Sequence, residues 1–394
     1  MKNKKILIGV TGGIACYKIC DLVSKLYKDG NDVRVIMTGN STEFVSALTF
    51  ETLSHNRVYC DTFRSENSYE INHIALSDWA DVMLVAPASA NIIAKFAQGI
   101  ADDLLTTTYL AVKCPVLIAP AMNTNMLDHP ATVENLAVLK SRGNYVIDPS
   151  FGYLACNKVG SGRLADINDI VISLKRVLSS NDFNGKHVIV TAGGTREPID
   201  AVRYITNRSS GRMGHSLAEA AYVRGASVTL ITASDIESVS SGINVIRCSS
   251  AAEMRDCVFK NIDCADILIM SAAVSDYTPS VKHEGKIKKK NGMNLELERT
   301  VDILKEVGAT KSKDLYLVGF AAETDNLIGY AESKLKEKNL NMVVANDVSD
   351  KRIGFDSTEN AVTIIKRSGD IFSTDIKNKS EISDIILDEI IKDI

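Results

Sequence analysis

Residues 187–214, near the middle of the chain, concentrate side chains that bind anions. An apolar run ends at Gly193-Gly194, and an amphipathic helix is predicted to begin at residues 209–211 and to end at Gly225. The loop between them carries Thr195, Arg196, Glu197, Asp200, Arg203, Asn207 and Arg208. Free backbone N–H groups and the positive end of the helix dipole converge at such a junction. Because an ordinary connection of this kind is much shorter, the pattern favours a phosphate site over a purely structural loop.

Four short segments of the first half also carry groups that could bind a ligand. The turn Thr11-Gly12-Gly13 could hold a phosphate at a helix start, and residues 87–91 (PASAN) offer a hydroxyl and an amide at a strand end. Residues 72–74 supply the imidazole of His73, and residues 120–123 (PAMN) supply the carboxamide of Asn123. On the residues alone, a lone histidine is more often structural than catalytic, and Asn123 could simply cap a helix.

A glycine-containing polar segment, residues 150–163, surrounds Cys156. Such a composition is typical of a mobile flap, and a cysteine there is not expected to be a core residue. The chain has eight scattered cysteines and no CxxC pair. That pattern argues against a zinc site and a disulfide framework and favours a reducing, cytoplasmic compartment.

Strands and helices alternate in both halves of the chain. Ile6–Val10, a glycine turn, an apolar helical stripe that ends before Gly30, and Val33–Met37 form a βαβ unit. Further strands are predicted at residues 80–86, 114–119, 187–191, 264–272 and 341–345. The sequence therefore predicts an α/β protein with two doubly wound domains, whose ligands lie beyond the carboxyl ends of the strands. Polar turn residues at 179–185 separate the predicted domains, 1–180 and 186–394.

The composition excludes several classes of protein. A chain of 394 residues is too long for one core, and 45% hydrophobic with 24% charged residues is typical of a soluble globular protein. The formal net charge of -4 gives no reason to expect nucleic acid or an anionic membrane as a partner. No apolar run approaches the length of a membrane span, and Ile6–Val10 leads directly into a glycine turn, unlike a signal peptide.

The full pattern of residues 193–214, GGTREPID-x-VRYITNRSSG-x-MG, resembles the phosphopantothenate–cysteine ligase domain of the bifunctional coenzyme A biosynthesis flavoproteins. Those proteins join that ligase to a phosphopantothenoylcysteine decarboxylase in one chain. The four first-half segments are similar to the homo-oligomeric flavin-containing cysteine decarboxylases. The resemblance extends over most of the chain and is weakest at residues 40–69 and at the tail.

For the first half, the resemblance implies a flavodoxin-like or Rossmann-like domain that decarboxylates phosphopantothenoylcysteine. Decarboxylation leaves a carbanion that needs an electron sink, which the flavin supplies. The residues placed around FMN are Gly12, Gly13, Thr38, Ser89, Asn91 and Met122. His73 and Asn123 orient the substrate, and Cys156 donates a proton. The family usually has glycine after that cysteine, whereas this chain has Asn157, a residue that tolerates left-handed backbone angles.

For the second half, the resemblance implies a Rossmann-like ligase that activates 4′-phosphopantothenate with CTP as an acyl-cytidylate, which the amine of cysteine then attacks. Asn207 and Lys286 are the implied catalytic residues, and Asp276 is a candidate ligand for Mg²⁺. The implied nucleotide and substrate contacts are Ser271, Ala272, Asp276, Lys286, Val301, Asp302, Ile303, Leu304, Phe320, Lys334 and Lys338. Val301 replaces the family's usual proline. Without the resemblance, the lysine run at 286–289 would be a solvated loop.

Two other functions fit parts of the sequence. A regulatory flavoprotein without turnover would be expected to lack some of His73, Asn123 and Cys156, and all three are present. A nicotinamide-dependent oxidoreductase needs an acidic ribose ligand after the second strand, where this chain has Met37-Thr38-Gly39-Asn40. The resemblance further implies a dodecamer built from flavin-domain trimers and ligase-domain dimers. The choice between CTP and ATP stays open.

Overall fold

A computed structural model describes residues 1–63, 71–155, 157–236, 239–288, 293–323, 327–347 and 357–394. The chain forms two compact units, Met1–Leu178 and Ser179–Ile394. Within these described ranges, no helix is both long enough and apolar enough to cross a membrane.

The first unit is built on a parallel sheet of six strands in the order β3-β2-β1-β4-β5-β6. The strands are β1 Lys5–Val10, β2 Asp32–Met37, β3 Val58–Tyr59, β4 Val82–Ala88, β5 Val116–Pro120 and β6 Tyr145–Val146, followed by a hairpin of β7 Ser150–Tyr153 and β8 Val159–Arg163. The helices are α1 Cys16–Lys28, α2 Gly39–Thr42, α3 Ala47–Ser54, α4 Asn72–Trp79, α5 Ala90–Gln98, α6 Leu104–Ala111, α7 Thr124–Leu127, α8 Pro130–Ser141 and α9 Ile167–Val177. The strand order reverses between β1 and β4, which is where open α/β sheets bind ligands.

The second unit is built on a sheet of eight strands in the order β13-β12-β9-β14-β17-β18-β20-β21, in which β20 runs antiparallel to both of its neighbours, β18 and β21. The sheet strands are β9 His187–Ala192, β12 Ser227–Thr232, β13 Asn244–Arg247, β14 Ile267–Met270, β17 Tyr316–Glu323, β18 Met342–Asp347, β20 Val362–Lys366 and β21 Ile371–Ser373. Short pairs are formed by β10 Arg196–Pro198 with β11 Tyr204–Thr206, β15 Tyr277–Pro279 with β16 Leu297–Arg299, and β19 Glu359–Asn360 with β22 Lys377–Asn378. The helices are α10 Arg212–Val223, α11 Ala251–Asn261, α12 Ile303–Thr310, α13 Leu327–Glu337 and α14 Lys379–Ile391. Both sheets confirm the predicted α/β fold class.

The apolar periodicity explains why these elements form. The central strands β1, β4 and β9 are buried along almost their whole length, as expected for parallel strands covered by helices on both faces. Helix α1 buries Ile19, Leu22 and Leu26 at helical spacing against the sheet. Helices α10 and α14 pack in the same core cluster, through residues such as Leu217 and Ile386.

Some predicted boundaries are wrong. The loop that follows β9 contains the β10–β11 hairpin, which the sequence analysis did not predict. Helix α10 begins at Arg212 with Gly211 at its N-cap position, where φ is +79° and no side chain caps the helix. The strand predicted at residues 264–272 covers only Ile267–Met270, because a short 3₁₀ helix occupies Ile262–Cys264.

Candidate active site

In the first unit, Thr11 joins two of the predicted ligand-binding segments. Its buried hydroxyl donates to the carbonyl of Pro87 at 2.6 Å and accepts from the amide of Ser89 at 3.0 Å. The Ser89 hydroxyl accepts from the amide of Ile92 and so caps helix α5. The glycine turn after β1 and the PASAN segment at the end of β4 therefore meet at the carboxyl edge of the sheet.

The two predicted glycines have different surroundings. A Cβ on Gly12 would lie 2.5 Å from the Cβ of Asn40, so glycine is needed there for the loop after β2 to approach. A Cβ on Gly13 would meet no described atom within 4 Å. Packing within the described part of the chain therefore explains why glycine occupies position 12, but it does not explain why glycine occupies position 13. Thr38 stands beside this turn, since its amide donates to the carbonyl of Val10.

His73 and Asn123, both in the first unit, differ in the hydrogen bonds that their side chains make. His73 lies in the first turn of α4, and its buried Nδ1 has no hydrogen-bond partner among the described residues. Asn123 follows β5, and its side chain accepts from the amide of Asn125 at 2.9 Å, which caps α7. The capping alternative for Asn123 is therefore realised in the structure, while its role toward a substrate stays a prediction. Asn91 is exposed in the first turn of α5.

The predicted flap is a hairpin, β7–β8, that is docked on the PAMN segment. The amide of Met122 donates to the carbonyl of Gly162 at 2.9 Å, and the hydroxyl of Thr124 donates to the carbonyl of Ser161 at 2.7 Å. Asn157, next to the hairpin tip, adopts φ +60°, which confirms that asparagine accepts a left-handed conformation there. Cys156 itself lies outside the described residues, so its proposed role stays a prediction.

In the second unit, a cavity of about 540 Å³ opens at the carboxyl ends of β9, β14, β17 and β18; we call it the main cavity. Its wall includes the Asn207–Gly214 loop and helix start, the Ser271–Asp276 loop and the start of α12. The predicted residues that line it are Asn207, Ser271, Ala272, Asp276, Val301, Asp302, Ile303, Leu304, Phe320, Lys334 and Lys338. The structure thus brings together residues that are far apart in the sequence.

Asn207 ties two walls of the main cavity together. Its Nδ2 donates to the carbonyls of Ala273 and Val274, each at 3.3 Å. The Ala273 amide in turn donates to the carbonyl of Gly193 at 2.9 Å. Gly194 allows this approach, because a Cβ there would lie 2.7 Å from the Asn207 carbonyl oxygen. The loops after β9 and β14 are therefore held at fixed spacing.

The two predicted lysines reach the main cavity from the end of α13. The Nζ of Lys334 donates to the carbonyl of Phe320 at 2.7 Å, and the Nζ of Lys338 lies 2.7 Å from a carboxylate oxygen of Asp302. Burial alone would raise the pKa of Asp302, but hydrogen bonds from Lys338 and from the Lys305 amide outweigh it, so the pKa lies below its usual value. The carboxyl group of Asp302 is consequently ionised at neutral pH.

The predicted roles of Asp276 and Lys286 differ in how well the structure supports them. Asp276 lines the main cavity, and no group of three or more potential metal-binding side chains occurs among the described residues. A metal at Asp276 would therefore take most of its ligands from phosphate and water, as Mg²⁺ often does. Lys286 is exposed and is not among the residues that line the main cavity. The amide of its neighbour Ile287 donates to a carboxylate oxygen of Asp200 at 3.1 Å. The role of Lys286 stays a prediction.

Two family models match almost the entire chain. The model described as flavoprotein matches residues 1–179, and the model described as DNA/pantothenate metabolism flavoprotein C-terminal domain matches residues 183–394. The coenzyme A biosynthesis bifunctional protein of Bacillus subtilis is 49% identical over 395 residues, which cover 99% of this chain and 97% of that protein. The chain belongs to the family of bifunctional coenzyme A biosynthesis proteins.

The family predicted from the polar loop is thereby confirmed. A relative with another name, a cysteine/cysteine sulfinic acid decarboxylase of an unknown prokaryotic organism, is 45% identical over 354 residues, or 88% of this chain and 99% of that protein. A solved structure of the C-terminal domain of a coenzyme A biosynthesis bifunctional protein is 39% identical and covers 54% of this chain and 97% of its own. Its TM-score is 0.47.

Several polar residues that line the main cavity were not predicted from the sequence. Arg212, Thr300, Asn360 and Lys379 line it together with the predicted set. Asn360 and Lys379 come from the C-terminal part of the chain, where the sequence analysis named no site residue. A signal was nevertheless present, because Asn378 followed three residues later by Glu381 predicts a helix start at Lys379. A lysine in the first turn of a helix is electrostatically unfavourable, because the helix dipole is positive there. Such a lysine in the sequence is therefore a candidate functional residue.

His215 predicts an acid-sensitive second unit. Its Nε2 lies 2.8 Å from the hydroxyl of Ser234, and burial lowers the pKa of His215 to about 4, with a smaller effect from Arg247. Between pH 6.5 and 4 the unfolded chain binds a proton that the folded unit does not, so stability falls as the pH falls. We expect a loss of up to roughly 3 kcal/mol over this window, measured by urea unfolding at several pH values.

The matched variant is His215→Gln, which keeps a hydrogen-bonding group but does not titrate. It should flatten the pH dependence of the unfolding free energy between pH 6.5 and 4 while other acidic groups continue to contribute. Identical pH profiles for the variant and the unmodified protein would contradict the assignment of this acid sensitivity to His215.

Proposed function

We propose that the second unit joins 4′-phosphopantothenate to cysteine at the expense of CTP, and that the first unit decarboxylates the product to 4′-phosphopantetheine. The observation that carries the proposal is the main cavity, where residues from 207 to 338 converge as the family resemblance requires. Membership of the bifunctional family supports both reactions in one chain.

The ligase reaction needs an activated carboxyl group. In the proposed reaction, the carboxylate of 4′-phosphopantothenate attacks the α-phosphorus of CTP and releases pyrophosphate, and the amine of cysteine then displaces CMP from the acyl-cytidylate. Backbone amides at the start of α10 and the lysines of α13 would stabilise the negative charge. Asn207 would hold the reacting groups between the loops after β9 and β14, and Asp276 would bind Mg²⁺.

The first unit fits FMN at the carboxyl edge of its sheet. The open space over Gly13 and the N-terminus of α5 at Ser89 would accept a phosphate, and the unpartnered Nδ1 of His73 is available within the described residues. When bound, FMN supplies the electron sink that decarboxylation needs. His73 and Asn123 would orient the substrate carboxylate and amide, and Cys156 would protonate the product.

We further propose that the protein assembles as a dodecamer of flavin-domain trimers and ligase-domain dimers. Several large apolar side chains of the first unit are exposed, including Tyr17, Leu48 and Phe151. Burial of exposed apolar side chains would favour association of subunits. Analytical ultracentrifugation of the full chain tests this assembly, and a monodisperse monomer would contradict it.

A coupled assay tests the proposed function directly. The purified full chain receives 4′-phosphopantothenate, cysteine, Mg²⁺ and either CTP or ATP, and the products are followed by mass spectrometry. We expect 4′-phosphopantetheine with CTP, whereas Cys156→Ser should stall before release of the reduced product. Free cysteine without nucleotide is included because one relative is named for acting on cysteine.

Each outcome has a defined meaning. Accumulation of phosphopantothenoylcysteine by the unmodified protein would show that the first unit is inactive or regulatory. Product from free cysteine alone would replace the proposed decarboxylation substrate. No product with either nucleotide would overturn the proposed ligase.

A further inference from the structure

We propose that Thr195, a buried residue in the turn after β9, is a positioning residue for the ligase reaction. It acts through the loop Ser271–Asp276, which follows β14 and lines the main cavity. Thr195 is not itself among the residues that line this cavity. The inference rests on the proposed ligase function of the main cavity.

Thr195 is hydrogen-bonded to the loop through its side chain and its backbone. The hydroxyl of Thr195 accepts from the amide of Ser275 at 2.9 Å, and the amide of Thr195 donates to the carbonyl of Ala273 at 3.4 Å. The hydroxyl of Ser275 donates to the carbonyl of Thr195 at 3.4 Å. Thr195 is fully buried and Ser275 is 4% exposed, so water does not compete for these bonds.

Two further threonines hold the ends of the same loop. The hydroxyl of Thr191, which is fully buried in β9, accepts from the amide of Ala272 at 3.1 Å. The amide of Thr300 donates to the carbonyl of Asp276 at 2.9 Å. Two hydroxyls four residues apart, those of Thr191 and Thr195, therefore fix two amides of the loop to the end of β9.

The groups that the loop carries are those that the proposed function uses. Asp276, the proposed Mg²⁺ ligand, directly follows Ser275. The carbonyls of Ala273 and Val274 accept from Nδ2 of Asn207, which the proposed function places at the reacting groups. A shift of the loop would therefore displace Asp276 and Asn207 together, although neither contacts the hydroxyl of Thr195.

The hydroxyl of Thr195 can be separated experimentally from the bulk of its side chain. Valine has nearly the same shape as threonine but no acceptor, so Thr195→Val would leave the amide of Ser275 buried without its partner. An unsatisfied buried donor is costly, and movement of the loop would relieve that cost. Thr195→Ser keeps the acceptor and removes only a methyl group.

The test compares ligation by the full chain with its binding of CTP. Thr195→Val should lower kcat for formation of phosphopantothenoylcysteine about a hundredfold, because small displacements of positioning groups commonly have this effect. The Kd for CTP, measured by calorimetry, should change much less, since the proposed phosphate contacts come from α10 and α13. Thr195→Ser should restore most of kcat.

Thr229→Val is the matched control. Thr229 is also buried in the second unit, at 4% exposure, and its hydroxyl lies 3.0 Å from Nε2 of His187. Both residues lie in the amino-terminal halves of their strands, whereas the main cavity opens at the carboxyl ends. The same loss of a buried hydroxyl should therefore leave kcat and the Kd for CTP unchanged.

Several results would overturn the inference. Unchanged kcat in Thr195→Val would do so, and equal losses in Thr195→Val and Thr195→Ser would assign the residue to packing. A loss of CTP affinity large enough to explain the lost activity would also contradict it. Thr195→Ala is the second variant without the hydroxyl, and failure of both to fold, judged by circular dichroism, would assign the hydroxyl to the fold. Absence of CTP-dependent ligation by the unmodified protein would instead overturn the proposed function, so the two failures are distinguishable.

Discussion

Replacing Gly162 by alanine should lower kcat/KM for decarboxylation about a hundredfold while leaving CTP-dependent ligation intact. Gly162 has φ +121°, and a Cβ there would collide with the carbonyl oxygen of Met122. The collision would separate strand β8 from the segment that carries Asn123. Small displacements of groups that position a substrate commonly cost about a hundredfold in rate. The measurement is single-substrate kinetics with phosphopantothenoylcysteine, alongside formation of that compound from CTP, cysteine and 4′-phosphopantothenate.

Gly143→Ala is the matched control. Gly143 also lies in the first unit and also has a positive φ, +86°, but a Cβ there would meet no described atom within 4 Å. It should therefore cost about 1 kcal/mol of stability through backbone strain and leave decarboxylation unchanged. Equal losses of activity in both variants would show that strain, rather than the contact between the hairpin and Met122, is responsible.

Local patterns in the sequence predicted the fold well. Apolar runs such as Ile6–Val10 and helical stripes such as that of α1 depend on interactions within a few residues, and a parallel sheet follows from their alternation. The hairpin β10–β11 was missed because its pairing places Arg196 opposite Thr206 in a polar segment without apolar alternation. The start of α10 was misplaced because Gly211 occupies the N-cap position without a capping side chain.

The candidate sites were predictable only in part, because their geometry depends on contacts between distant segments. Motifs located Asn207, which follows β11, and Lys334, which lies in α13, and both residues line the main cavity. No local pattern indicates that the tail returns Lys379 to that cavity. Nor does the sequence indicate that Thr11 bonds to Pro87, or that Ser234 faces His215. These contacts arise from chain topology, which sequence periodicity does not specify.

Replacing Arg224 by methionine should destabilise the second unit by about 3 kcal/mol. The guanidinium donates to Asp182 at 2.9 and 2.5 Å and to Asp388 at 2.8 Å, and it lies 4.9 Å from the centre of the Phe183 ring. Its side chain is only 9% exposed. Replacing the buried guanidinium leaves Asp182, which is 28% exposed, and the carbonyl of Asp384 without their donor and removes the contact with the Phe183 ring, while the methionine retains most of the apolar stem. The network also ties the start of the unit to α14.

Arg255→Met is the control for Arg224→Met. It tests whether burial of the arginine, rather than ion pairing alone, determines the loss of stability. Arg255 likewise contacts two carboxylates, Glu306 at 2.7 Å and Asp256 at 3.3 Å, and lies 5.0 Å from the ring centre of Phe259, but its side chain is 37% exposed. Because water can solvate the partners left behind, its loss should cost less than about 1 kcal/mol. Urea unfolding by circular dichroism measures both variants, and fluorescence of the single tryptophan, Trp79, follows the first unit separately. Equal destabilisation by the two substitutions would show that burial does not determine the contribution of these arginines.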